Sequence, residues 1–507
     1  MSEVKTGQIR SGSADGSQST SGLKGQLGTL DIALTTLAYA GPLAGTAGYI
    51  TFVVGFGNGL GAPSAFLVVM AAFLLFAVGY SALSRFVPNP GAFYAYITSG
   101  LGRAAGLGAA FMVLASYFCI GVGFYGFAGL AFQDLVVGWG GPKIEWYFYS
   151  LIFWAVVGTL AYFHIAVSAK VLGVVLIVEV LLALMFDAAV MVQGGAEGIS
   201  LAPFTWEAFS SGNVGLALIF GGALFCGFEA TAIYREETKN PDKTIPRATY
   251  LVVLFIGCFY ALTSWALITG LGNSQAVALS TANTATAFFD VSKVFVGDFF
   301  YKIVTLLLIT SIFASHLSIQ NATTRYVFSL AIDGVFPKAL GVAHSKHSSP
   351  ARASLTCSLI YLLLTASMIF AGLSATKIYA WFCGLASFSI LIAMAITSLS
   401  AIVYFRRNKH HPVNAWQSLI APGLSLLTLG AMILLAAENF ATLIDDSQAL
   451  ADVMMYGVVL TFVFGFIYAL WLKKSKPHIY QRIGRQMRDD IVKDQTDFNS
   501  LKPLNLR

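Results

Sequence analysis

Twelve apolar stretches, each long enough to cross about 30 Å of hydrocarbon as a helix, decide what this 507-residue chain can fold into. They run roughly over 31–56, 63–84, 106–132, 146–166, 169–192, 214–234, 249–271, 301–330, 351–372, 377–404, 418–437 and 453–472. No soluble core hides that much apolar surface. With 57% hydrophobic and only 11% charged residues, the chain reads as an all-α polytopic membrane protein. The alternating hydrophobicity of spanning strands is absent, which excludes a barrel.

An even number of spans returns both ends of the chain to one side. If that side is the cytoplasm, the cytoplasmic segments hold 26 of the 30 Lys and Arg residues, and the outer loops hold only Lys143, Lys293, Lys302 and Lys377. This bias predicts cytoplasmic termini in the plasma membrane, or the inner membrane in a bacterium. The net charge of +6 then reflects topology and an anionic inner leaflet rather than nucleic acid. The Ser/Gly-rich stretch 1–28 reads as a disordered cytoplasmic tail and 476–507 as a basic, solvated one. Cys119, Cys226, Cys258, Cys357 and Cys383 show no metal-ligand spacing and read as reduced packing residues.

Two spans are broken by small residues at matching places. The first break is Gly41-Pro42-Leu43-Ala44-Gly45-Thr46-Ala47-Gly48; the second is Gly221-Gly222-Ala223-Leu224-Phe225-Cys226-Gly227. An unpaired backbone group in hydrocarbon costs several kcal/mol, so a helix breaks there only where protein or ligand takes over its hydrogen bonds. A matched pair of breaks points to a binding site near the bilayer midplane. Spacing divides the chain into five helices (29–195), five more in inverted orientation (196–410), and two further helices (411–475). Phe93, Tyr94 and Tyr96 suit a short interfacial helix before span 3, and residues 281–295 suit an outer lid.

The string Gly227-Phe228-Glu229-Ala230, Glu236-Glu237, Asn240-Pro241 and Ile245-Pro246-Arg247-Ala248 resembles the sixth helix and following loop of the amino acid, polyamine and organocation transporter superfamily. Arg325-Tyr326, Asp333-Gly334, Pro337 and Pro350 at the end of span 8 are similar to that family, as is Pro88 to Tyr96 before span 3. The likeness covers roughly 28–475. It implies a leucine-transporter-like fold, with helices 1 and 6 discontinuous in an inverted five-plus-five core. Many relatives carry a tight Gly-small-Gly break in helix 1, whereas this chain spreads the break over Gly41, Pro42, Gly45 and Gly48.

A broken helix exposes amides at the start of its second half and carbonyls at the end of its first, the complement of a zwitterionic amino acid. The amides of Ala44 to Ala47, with the Thr46 hydroxyl, would take a carboxylate; carbonyls around Gly221, Gly222, Ala223 and Leu224 would take an ammonium group. The competing reading is that these glycines only let helices pack closely. The expected substrate-binding set is Ala40, Gly41, Pro42, Ala44, Gly45, Thr46, Tyr117, Gly221, Gly222, Ala223, Phe225, Glu229 and Trp381. Within it, the family pattern makes Phe225 and Trp381 gates. Tyr39, Tyr125, Phe228 and Tyr379 are further candidates for rings over an ammonium, worth about 0.5–2 kcal/mol each.

A carboxylate at membrane depth costs roughly 2.5–3.5 kcal/mol on insertion scales, so Glu229 must face a cavity, a partner or a proton. In relatives the matching acidic residue is tied to substrate binding or proton sensing; the alternative is a hydrogen bond holding spans 6 and 7 together. Glu179 lies eleven residues into span 5, near the midplane at 1.5 Å per residue, where several relatives place a lysine. Three roles stand: a proton-coupling group, a ligand to a cation or amine, and a structural carboxyl bonded to span 1 or 8. Asp187, higher in the span, is expected near the wet interface. In span 8, Ser311, Ser315, Ser318, His316 and Gln320 are either pathway residues or polar glue between helices.

His344 and His347 lack companions for a metal, Asn321-Ala322-Thr323 is a sequon inside the membrane, and neither a phosphate loop nor a nucleophile elbow is present. No enzyme activity, cofactor or metal is expected. The resemblance implies proton-coupled uptake of an amino acid by alternating access. A polyamine or other amine importer or exchanger is the alternative, and a channel or transporter-derived sensor the rival class.

Overall fold

In the computed structural model the described residues are 27–484 apart from 88, 90, 164, 236–237, 285, 343–349 and 445, with backbone only at 163 and 165–172. The expected tails at 1–26 and 485–507, and Pro88, Pro90, Glu236, Glu237, His344 and His347, lie outside them. Among the described residues all regular structure is helical, apart from one isolated bridge pairing Leu27 with Thr238.

The helices are α1 (Thr29–Ala40), α2 (Pro42–Gly45), α3 (Thr51–Phe56), α4 (Ala62–Phe86), α5 (Phe93–Leu101), α6 (Arg103–Gly138), α7 (Trp146–Phe163), α8 (Ile165–Gln193), α9 (Trp206–Phe209), α10 (Val214–Ala223), α11 (Pro241–Leu271), α12 (Ala276–Ala282), α13 (Ala287–Phe295), α14 (Asp298–Ile332), α15 (Ala351–Phe370), α16 (Ala375–Arg407), α17 (Ala421–Leu443), α18 (Gln448–Ser475) and α19 (Pro477–Arg482). Eleven spans are long and apolar enough to cross a bilayer, the first formed by α1 to α3 together (Thr29–Phe56); α7 is apolar but shorter.

Local chemistry sets several boundaries. The Asp31 carboxylate accepts the Gly28 N–H at 2.8 Å and opens α1. Asn213 caps α10 by accepting the Leu216 N–H. The sequence places span 7 at 249–271, yet α11 begins eight residues earlier. Asn240 there is left-handed (φ 46°), Pro241 occupies the first turn without losing a needed donor, and Asp242 pairs with Arg235 at 2.6 Å. Pro246 lies inside α11, where it leaves the Asp242 carbonyl without its usual amide donor.

The helices pack in pairs five apart. α1 lies on the turn after α10, α4 on α11, α6 on α14 and α7 on α15. The pairing of α8 with α11 and α14 is matched by that of α16 with α4 and α6. α17 covers α4, α10 and α16, while α18 lies on α6 and turns Val453, Leu460, Phe464 and Ile467 outward, a surface suited to hydrocarbon.

α5 differs from the interfacial helix expected. Phe93, Tyr94 and Tyr96 are almost wholly buried, because α5 wedges between α6 and α16. The Tyr94 hydroxyl donates to Asp333 Oδ2 at 2.6 Å and receives the Gly484 N–H at 2.7 Å. Leu27, Thr238, Asp333 and Gly484 thus share one end of the molecule, the terminal face. At the opposite face α12 packs on α3, and α13 on α8, α11 and α14.

A candidate cavity between two helix breaks

Both breaks are real, and each is made by one left-handed glycine. At Gly41 (φ 57°) α1 stops, and a Cβ there would collide with Ser315 Oγ. The chain resumes at once as α2 and passes through a π-helical turn, Thr46–Ile50, into α3. At Gly227 (φ 107°) the second break closes on a 3-10 turn, Phe228–Ala232, and a Cβ would drive into the Tyr39 ring. Tyr39, at the end of α1, therefore rests on the backbone of the second break.

The hydrogen bonds freed at the first break have takers. The Glu179 carboxyl on α8 stands near the Leu43 N–H and the Ser311 hydroxyl, close enough for both to act on it electrostatically, and Ser311 Oγ accepts the Ala44 N–H at 3.3 Å. Ser315 donates to the Ala38 carbonyl at 3.2 Å. The Gly45 N–H returns to Gly41 O and the Thr46 N–H to Leu43 and Pro42. Thr46 spends its hydroxyl on the Pro42 carbonyl at 2.8 Å. Glu179 is 1% exposed, and its Oε1 lacks a partner.

The second break lies slightly later than the sequence places it. Gly221 and Gly222 are helical and give room to Phe66, Val69, Phe73 and Met432, and the turn runs over Leu224 to Gly227. There the Phe225 N–H bonds to Gly222 and the Cys226 N–H to Ala223. Glu229 is fully buried; its Oε2 accepts the Gly227 N–H at 2.8 Å and its Oε1 the Tyr117 hydroxyl at 3.4 Å. Tyr80 donates to the Glu229 carbonyl at 2.5 Å. The carboxyl is thus held by α6 and the turn after α10, and the main chain of the same residue by α4. Tyr117 also packs edge-on against Tyr39 and Tyr326, at 6.5 and 5.8 Å between centroids.

The two breaks border one cavity of about 30 Å³, space for roughly two waters. The first break gives it Tyr39, Ala40, Ala44, Gly45 and Tyr49, and the second gives Ala223, Leu224 and Cys226. Ile120 and Phe124 of α6 and Tyr379 and Ser387 of α16 complete the wall. None of these side chains is charged. Tyr49, Tyr379 and Phe220 form an aromatic layer over the cavity towards the opposite face, with Tyr49 5.8 Å from Tyr379 and 5.9 Å from Phe220.

Of the residues singled out in the sequence, Ala40, Ala44, Gly45 and Ala223 line the cavity, and Gly41, Pro42 and Thr46 stand directly behind that wall. Tyr117 and Glu229 form the cluster beneath it. Phe225 packs on Phe73 at 5.2 Å, off the cavity wall. Trp381 lies near the far end of α16, its indole donating to Ile444 O at 2.8 Å and its ring under the Lys377 ammonium. Asp187, expected at the interface, is buried, with Thr263 donating to its Oδ2 at 3.0 Å.

Sequence reasoning missed Tyr49, Ile120, Phe124, Cys226 and Ser387. Tyr117, Ile120 and Phe124 sit at i, i+3 and i+7 of α6, a readable stripe, and Cys226 lies inside the second break itself. Ser387 carries no such signal.

A family model described as amino acid permease matches residues 41–481 of this chain. The low-affinity putrescine importer PlaP of Escherichia coli K12 is 25% identical, aligned over 73% of this chain and 80% of its own length. The branched-chain amino acid permease BcaP of Bacillus subtilis 168 is 25% identical over 65% and 71%. The aromatic amino acid transport protein AroP of Escherichia coli O6:H1 is 23% identical over 44% and 49%.

Proposed function

The chain belongs to the amino acid permease family, and from that premise we propose that it is a proton-coupled carrier of a neutral amino acid, working by alternating access in the plasma membrane. The observation that carries this reading is that the residues flanking the breaks at Gly41 and Gly227 line one cavity whose wall bears no charge. With α7 crossing as well, the spans number twelve. The five-apart pairing of helices supports an inverted five-plus-five core, and the bias of Lys and Arg supports cytoplasmic termini.

Coupling follows from shared donors. Of the amides that would bind a substrate carboxylate, that of Ala44 is held by Ser311, and Glu179 stands beside Leu43 and Ser311. A carboxylate that takes over the Ala44 amide displaces Ser311 and comes to lie beside Glu179. Two carboxylates that share a site do not both stay charged, so a proton on Glu179 accompanies the substrate. Glu229, bonded to the backbone of the second break, then reports occupancy of the cavity to the terminal face through Tyr117 and Tyr326.

A second reading, an amine carrier, has support from PlaP and from Glu229, which lies just beyond Tyr39 as the nearest carboxylate to serve a second ammonium group. Proteoliposomes separate these possibilities. Labelled leucine, phenylalanine and putrescine are offered with an inward proton gradient, and the reading predicts saturable, gradient-driven uptake with counterflow of an amino acid. In Glu179→Gln the gradient effect disappears while counterflow persists. Intact pH dependence in that variant removes the coupling role, unsaturable flux without counterflow means a channel, and binding without flux means a sensor.

A further inference from the structure

We propose that protons reach Glu179 along the seam between α8 and α11, through Asp187, Thr263 and Tyr260, by a route separate from the substrate cavity. The proposal rests on the reading of Glu179 as the coupling group.

Asp187 lies eight residues beyond Glu179 on α8, about 12 Å nearer the opposite face at 1.5 Å per residue. Its carboxyl is 2% exposed; Oδ2 accepts the Thr263 hydroxyl at 3.0 Å, and Oδ1 has no partner. One turn back along α11, the hydroxyl of Tyr260 is fully buried and also without a partner. That hydroxyl sits against Gly45, on the far side of the cavity wall, within the electrostatic reach of Glu179. Glu179 Oε1 is the third unpartnered atom. Buried polar atoms are nearly always paired, so three unpaired ones in sequence along one seam call for a function.

The surroundings isolate this file. Phe186 and Val190 of α8 and Phe288 and Val291 of α13 are buried around its upper end. Among the described residues no further charged side chain faces it. On α13, Asp290 and Lys293 are exposed, and Lys293 pairs with Asp298 of α14. The charged residues of α11, Asp242, Lys243 and Arg247, lie at its terminal-face end, as Asp31 does on α1. From α14, Ser311 faces Glu179 and Ser315 donates to the Ala38 carbonyl, while His316 sits against Tyr125 and Phe153 of α6 and α7. Tyr260 meets the cavity wall at Gly45 and lies within electrostatic reach of Tyr379, yet neither Asp187, Thr263 nor Tyr260 lines the cavity.

In the relay, a proton from the opposite face binds the Asp187 carboxylate. Thr263 accepts it on Oγ1 as its own hydroxyl proton leaves, Tyr260 does the same, and Glu179 Oε1 takes the last proton. Only O–H bonds form and break. Asp187 ends as a carboxylate and Glu179 as a neutral acid, so one positive charge has moved inward.

Reconstituted full-length protein tests this with Asp187→Asn, Thr263→Val, Tyr260→Phe, Asp187→Glu and Glu179→Gln. Two readouts are taken for whichever of leucine or phenylalanine the unaltered protein accumulates: gradient-driven uptake and counterflow. Asp187→Asn and Tyr260→Phe are expected to lower gradient-driven uptake roughly 10²-fold with counterflow unchanged, and Asp187→Glu to restore it. Counterflow also certifies that each variant folds. Gradient-driven uptake that survives Asp187→Asn but not Glu179→Gln overturns the route and leaves the coupling reading standing. Survival in both variants overturns both. Loss in Asp187→Asn with survival in Glu179→Gln also overturns the route, because Asp187 would then feed some other group.

Discussion

Gly227 meets two demands at its position. A left-handed φ of 107° costs any L-residue roughly 1–3 kcal/mol, and a Cβ would enter the ring of Tyr39. Gly227→Ala is therefore expected to lower the melting temperature of the purified protein and abolish uptake, and a variant with unchanged melting would show that Tyr39 does not rest there. Gly41→Ala is predicted to be partly relieved by Ser315→Ala, since the colliding atom is Ser315 Oγ. Melting curves of both singles and the double form a cycle in which additivity would contradict that contact. The sequence made both glycines visible as breaks. It could not show that the Ala44 amide already has a partner in Ser311, or that Glu179 stands beside Leu43, because both come from helices far away in the chain. Cys226 read as packing for the same reason: a thiol in an apolar run looks alike from sequence whether it faces a neighbouring helix or a cavity.

Individual helices were legible where periodicity or composition ran unbroken, as in α6, α14 and α16, and less so at ends set by caps. α11 starts early because Asn240, Pro241 and Asp242 are good starters despite their polarity, which an apolar count penalises. α5 was read as interfacial since its aromatics suit that zone, but α6 and α16 bury it. At the other end of the molecule α16 is tied to the loop between α17 and α18. The Ser447 N–H and then Lys377 hold the Asp446 carboxyl below its usual range, and Trp381 bonds to Ile444 O. A lowered native value means that this contribution is present above the unfolded value, about 3.9, and is lost as pH falls through the native one. Asp446→Asn should therefore speed hydrogen exchange over 444–447 at neutral pH, and the difference should close below about pH 4. A difference that persists in acid would rule out the carboxylate as its source.

The whole molecule repeats one design, a helix opened at a single glycine with a buried glutamate beside the opened amides. Glu229 caps the second break from within its own turn, and Glu179 on α8 stands beside the amides of the first. Tyr39 joins the two by leaning from the first break onto the second. The many apolar spans, the broken helices and the family were readable from the chain, because lipid exacts helices and leaves the breaks conspicuous. The closed form of the cavity was not, since its aromatic cover combines Tyr49, Phe220 and Tyr379 from three helices. The central claim is that one solute occupies the space between both breaks. Site-resolved thiol labelling tests it, using native Cys226 on the second break and Ala44→Cys on the first, in the presence of whichever of leucine, phenylalanine or putrescine supports counterflow. The account predicts that this solute protects both thiols over the same concentration range; protection of only one, or of neither, would contradict it.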